Sequence, residues 1–240
     1  MRIIAISNQK GGIGKTTTTM NLGAGLAMKG KRVLLVDLDR QGNLSMYALP
    51  EFERAAKNPF SLFSVLSGEA GFSEVIEEVG ENLSIIPAAA NLDEFRERAM
   101  SLDFSSLPFD YVLLDCPPAM EGATVSAIRA SEGVIVPATA DKFSFESLGE
   151  IYESLQTLGR KLNGILIGKY YERLSISKQL KEDYERLAAQ IGTKVYPVVR
   201  DSVAIRESQL FKQSVFEYEP KGNGAADFAA LAEEVLKEKQ

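Results

Sequence analysis

The sequence predicts an α/β fold: a doubly wound, mostly parallel sheet with helices on both faces. Three observations predict it. Short β-branched runs alternate along the chain with longer stretches of helical period, the rhythm of strand–helix–strand units. Several of the short runs are apolar throughout rather than alternating, as in a strand buried on both faces. The first run leads straight into a glycine-rich loop and then a helical stretch.

The expected strands lie at 2–7, 32–37, 84–88, 111–116, 133–138, 164–168 and 194–199. RIIAIS, RVLLVD and YVLLDC are the clearest, each a short run of branched aliphatic residues ending in a polar group. Helical patterns fall between them at 16–29, 60–67, 123–131, 146–161, 177–191 and 224–238. From about 43 to 82 the pattern is broken into short amphipathic pieces, FSLFSVL and FSEVIEEV, expected as small helices at one edge. No Pro/Gly/Ser-rich linker and no internal repeat interrupts the chain, so residues 1–240 are expected to form a single domain.

Composition removes several classes of function. The 240 residues contain no histidine, which excludes Ser-His or Cys-His catalysis and histidine-ligated metal. The single cysteine, Cys116, can form neither an internal disulfide nor an iron–sulfur site, and is expected as a small buried side chain. No apolar run approaches a membrane span, and the first residues lack the shape of a signal peptide; a reducing cytoplasm is expected. The net charge is -6, so any contact with DNA needs a local basic patch or a dimer that concentrates one.

Residues 8–19 read NQKGGIGKTTTT. A strand, a glycine loop, a Lys-Thr pair and a helix form the arrangement that binds phosphate. Glycines let backbone N–H groups approach phosphate oxygens without a Cβ in the way, and the helix start adds its positive dipole end. The candidate binding segment runs through Lys10, Gly11, Gly12, Ile13, Gly14, Lys15, Thr16 and Thr17. Lys15 supplies charge to the terminal phosphates, the Thr16 hydroxyl suits Mg²⁺, and Thr17 reaches a further phosphate. The strict pattern G-x-x-x-x-G-K-[ST] has glycine where this chain has Gln9, and a second lysine, Lys10, opens the loop. Asp115 closes the YVLLD run, the Walker-B placement of a carboxylate that serves the magnesium site.

The segment NQKGGIGKTTTTMNLGAGLAMKGKRVLLVDLDRQGN, with DCPP at 115–118, resembles the ParA/Soj branch of the deviant Walker-A ATPases, the ParA/MinD superfamily of P-loop NTPases. The resemblance covers nearly the whole chain. It implies ATP and Mg²⁺ as cofactors and an ATP-dependent homodimer in which Lys10 reaches the partner's nucleotide while Lys15 serves its own. It implies that Asp39 orients the attacking water and that Asp37 supports the magnesium site. It points to the loop from Pro197 to Asp201 as a wall for adenine, and to Arg200, Arg206, Lys212 and Lys221 as candidates for non-specific DNA binding. It implies a ParB-like centromere-binding partner and a nucleoid-associated ATP form, with no separate N-terminal DNA-binding domain. The chain departs from the family at Arg40, where proline is usual, at Thr139, where glutamine is common, and at Ser147, where glycine is common.

Other readings compete. A MinD-like, membrane-associated division regulator would need an amphipathic C-terminal helix with a basic face, but ADFAALAEEVLKEKQ is Glu-rich, and no stable membrane association is expected. An iron–sulfur reductase is excluded by the lone cysteine, and Lys10 argues against a small-molecule kinase or synthetase. A related ATPase that positions another cellular cargo stays open.

Overall fold

The computed structural model describes residues 1–52, 61–89, 91–92 and 102–238. Within them, seven strands form one sheet in the order β3-β4-β2-β5-β1-β6-β7. The strands are β1 (Arg2–Ile6), β2 (Val33–Asp37), β3 (Glu77–Gly80), β4 (Leu83–Ile86), β5 (Tyr111–Asp115), β6 (Gly133–Thr139) and β7 (Leu162–Gly168). All neighbours pair in parallel except β3 with β4. The helices are α1 (Lys15–Met28), α2 (Asn43–Ala48), α3 (Leu62–Leu66), α4 (Gly122–Ala130), α5 (Lys142–Thr157), α6 (Ser175–Ile191), α7 (Val203–Leu210), α8 (Val215–Tyr218) and α9 (Asn223–Lys237).

Two apolar layers explain why the central strands are apolar throughout. On one face, Leu34, Val36, Val112 and Leu114 pack with Ile128 of α4, Ile151 and Leu155 of α5 and Tyr184 of α6. On the other, Val33, Leu35, Leu113 and Ile135 pack with Leu22 and Leu26 of α1, Tyr47 of α2 and Phe228 and Leu231 of α9. Alternate residues of one strand thus enter opposite cores, as the two-residue strand period requires. None of the described helices is long and apolar enough to cross a membrane.

Two expected elements change type, and the start of a third moves. FSEVIEEV does not form a helix: Phe72–Glu74 makes a single 3-10 turn, and Glu77–Gly80 is the antiparallel edge strand β3. Asn82, in the left-handed region at φ 61°, lets the chain reverse directly into β4. The segment 194–199 runs beside β7 but is not a strand. Tyr196 N–H donates to Ile165 O and Val199 N–H to Ile167 O, so three residues of this segment span two of β7 and the ladder slips. Only isolated parallel bridges remain, Ile165 with Val195 and Tyr170 with Arg200. α5 begins at Lys142 rather than 146 because Asp141 caps it, accepting from Ser144 N–H at 2.9 Å.

The register places the chemistry. Ile6 at the end of β1 pairs with Asp115, and Asp37 at the end of β2 pairs with the same Asp115. The glycine loop and both carboxylates therefore meet at the carboxyl ends of three adjacent strands, where open α/β sheets bind their ligands.

Candidate active site

The loop after β1 is shaped by glycine at two positions. Gly12 and Gly14 have φ of 73° and 94°, and Gly14 directly precedes α1. A side chain would meet no atom at either place, so backbone conformation rather than space demands glycine. No side chain caps the start of α1 and no acidic residue lies in its first turn, which leaves its N–H groups for an anion. Asn8, fully buried, anchors the loop: its Nδ2 donates to Pro137 O at 2.7 Å and its Oδ1 accepts from Lys10 N–H at 3.0 Å.

The two lysines of the loop are placed differently. Lys15 is buried, and its Nζ donates to the carbonyls of Asn8 at 2.9 Å and Lys10 at 3.1 Å. Burial pulls its ammonium below the usual lysine value, opposed by nearby acidic groups, Asp115 first. Lys10 turns away to Asp141, with Nζ at 3.1 Å from Oδ1 and 3.3 Å from Oδ2. Burial works against the Asp141 carboxylate, but hydrogen bonds from Thr139 and Ser144 N–H and the Lys10 ammonium hold it below its ordinary value.

Behind the loop stand the carboxylates. Asp115 accepts from Thr16 Oγ1 at 2.7 Å and from Thr19 Oγ1 at 3.3 Å. Asp37 accepts from Ser45 N–H at 2.8 Å, Ser45 Oγ at 2.7 Å and Asp39 N–H at 3.1 Å. Both are buried and raised above the carboxylate range, first by desolvation, and Asp115 further by the charge of Asp37. Two buried carboxylates on adjacent strands, beside a threonine hydroxyl, are an oxygen-only donor set that a hard dication relieves. The set fits Mg²⁺: Thr16 and Asp115 would hold it, directly or through water, with Asp37 behind, and the ion would neutralise phosphate charge. Cys116 is buried, and burial pushes its thiol far up, which makes it an inert packing group.

A cleft of about 730 Å³ opens over the loop. Residues 11–18 form its floor, Asp39, Gln41 and Asn43 one wall, and Val199, Arg200, Asp201 and Ser202 another. Lys15 lines it and Lys10 does not. Asp39 takes Gln41 N–H on its Oδ1 at 2.9 Å, which starts the turn into α2. Thr17 lines the floor and accepts a hydrogen bond from Gln209 Nε2 of α7.

Pro197 is exposed and is not part of the lining, although Asp201 is. The extended backbone there turns Tyr196 and Val199 inward and leaves Pro197 outside; the prolines that do face the cleft are Pro118 and Pro137. The four basic candidates for DNA contact are not alike. Arg200 grips Asp227 through Nε and Nη2, the latter at 2.6 Å, and Arg206 pairs with Asp201 at 2.7 Å; both line the cleft. Lys212 donates to the Leu49 and Pro50 carbonyls just beyond α2, and Lys221 is exposed in the turn before α9. Asn8, Asp141 and Gln209 escaped the sequence reading. The signal for Asn8 was a polar residue wedged between a buried strand and the glycine loop.

Comparison with known proteins agrees with this geometry. A family profile described as an AAA domain matches residues 1–167. The chromosome partitioning protein ParA of Caulobacter vibrioides (strain NA1000 / CB15N) is 34% identical over 98% of this chain and 94% of its own. The sporulation initiation inhibitor protein Soj of Bacillus subtilis (strain 168) is 32% identical over 98% of both chains. Among solved structures, the septum site-determining protein MinD of Pyrococcus horikoshii OT3, complexed with Mg-ADP, superposes with a TM-score of 0.79 at 26% identity, covering 98% of this chain and 96% of that one. The phosphate loop, the paired carboxylates and this near-full-length identity lead to one conclusion: the chain belongs to the ParA/MinD superfamily of P-loop ATPases and hydrolyses ATP with Mg²⁺.

Proposed function

We propose that this chain is a DNA-partitioning ATPase, acting through residues 1–240 as a single domain. ATP binding draws two copies together face to face, and each Lys10 enters the other's nucleotide site. The dimer binds DNA non-specifically and associates with the nucleoid. A ParB-like, centromere-bound partner stimulates hydrolysis, and the dimer then separates. One observation carries the reading: the loop holds two lysines, of which Lys15 lines its own cleft while Lys10 stays outside it on Asp141. A cation outside its own site is suited to a neighbour's, where it would neutralise charge developing on the transferred phosphoryl group. The name of the Caulobacter ParA relative supports the cargo assignment.

A membrane-bound division regulator gains nothing from the C-terminal helix. Phe228, Leu231, Ala232 and Val235 of α9 are buried in the core with residues of α1, so its apolar face is already covered. The deciding experiment is light scattering in the apo, ADP and ATP forms, with and without DNA at two salt concentrations. Mass should double only with ATP, and DNA should bind only that form and lose affinity steeply with salt. A chain that stays monomeric in ATP would overturn the proposal.

A further inference from the structure

We propose that Lys169 is an additional nucleotide-binding residue, a second cation that each subunit turns on the phosphates of its own ATP. The proposal rests on ATP occupying the cleft described above. Lys169 follows β7 and lines that cleft. Its backbone is in the left-handed region, φ 50°, a conformation uncommon for a side chain as long as lysine's. Both neighbours are tied down: Gly168 pairs with Thr139 of β6, and Tyr170 N–H donates to Val199 O at 3.1 Å while Tyr170 O accepts from Asp201 N–H at 3.0 Å. The kink between these fixed points sends the side chain across the cleft, where Nζ donates to Gly12 O of the phosphate loop at 2.9 Å.

The other cations of the cleft sharpen the assignment. Among the described residues, four cationic side chains line it: Lys15, Lys169, Arg200 and Arg206. Arg200 is neutralised by Asp227 and Arg206 by Asp201. Lys15 and Lys169 instead rest on backbone carbonyls, which carry no formal charge. Lys15 is already understood as the lysine of the loop. Lys169 repeats its arrangement from the end of β7: an ammonium parked on a carbonyl of the phosphate loop. A phosphate oxygen is a stronger acceptor than the carbonyl it would replace. The exchange would also release Gly12 O, so the contact reports that the site is filled.

The test compares Lys169→Met, which keeps the stem and removes the charge, with Lys169→Arg, which keeps the charge. Isothermal titration with Mg-ATP and thermal melting of the nucleotide-free protein are measured for both. A charge-assisted contact predicts that Lys169→Met binds ATP about tenfold more weakly or worse, with an unchanged melting temperature when free of nucleotide. Lys169→Arg should retain most of the affinity. Unchanged ATP affinity in Lys169→Met would overturn the proposal. So would equal losses in both variants, or a loss that tracks a lower melting temperature. Failure of the unsubstituted chain to bind ATP would instead overturn the placement of the nucleotide.

Discussion

Lys10 Nζ lies 3.1 Å from Asp141 Oδ1 within one subunit, and both side chains are more than a third exposed. An ion pair so open to water contributes at most about 1 kcal/mol. It holds the lysine in place without locking it, so the approach of a second triphosphate can draw Lys10 away. Replacing Lys10 with alanine should therefore leave ATP affinity within about twofold and reduce partner-stimulated hydrolysis by about a hundredfold or more, the scale of losing one transition-state donor. Titration calorimetry and phosphate release check the two halves; full stimulated turnover would contradict the role.

Lys15→Ala should act earlier in the cycle. It removes a buried cation and leaves the carbonyls of Asn8 and Lys10 without their donor. ATP binding should weaken by about a hundredfold, the cost of a lost charge-assisted contact at a desolvated site. Fluorescence titration with a labelled nucleotide measures it, and near-normal affinity would contradict the assignment.

Asp39 faces the cleft from the turn that leads into α2. If it orients the attacking water, Asp39→Ala should bind ATP and remain a dimer, because the step that separates the subunits is blocked. Size-exclusion chromatography with light scattering would then show doubled mass persisting over hours in ATP. A variant that is monomeric in ATP would count against this.

Arg200 and Lys221 should separate stability from DNA binding. Arg200 makes a charge-assisted fork to Asp227, whose side chain is only 10% exposed, so Arg200→Ala should cost about 1–3 kcal/mol and lower the melting temperature by several degrees. Lys221→Glu should leave the melting temperature unchanged and weaken DNA binding several-fold in fluorescence anisotropy. Reversed effects would mean that Arg200 serves DNA and Lys221 the fold.

The legible parts of the molecule are those fixed by local pattern. β1, β2 and β5 are branched aliphatic runs buried on both faces, and Asp37 and Asp115, which end β2 and β5, mark the site. The loop at 10–17 announces itself because glycines, lysine and threonine must be contiguous to wrap phosphate. β3 was illegible because an edge strand carries charge toward solvent, and Glu77 and Glu78 imitate the polar face of a helix. The segment at 194–199 has the composition of a strand, but its register slips against β7: Tyr196 and Val199, three residues apart, donate to Ile165 and Ile167, two apart. Asp141 and Lys169 were illegible for another reason: their partners, Lys10 and Gly12, lie 131 and 157 residues away in sequence. No local pattern encodes such pairs; the order of the strands creates them.

The most direct measurement is the crystal structure of Asp39→Ala bound to Mg-ATP, read at one distance: Lys10 Nζ to the γ-phosphate of the opposing subunit. The account predicts a face-to-face pair with that distance near hydrogen-bond length, about 3 Å, and the contact to Asp141 broken. A nucleotide-bound subunit in which Lys10 remains on its own Asp141, or extends into solvent away from any partner's phosphate, would contradict it.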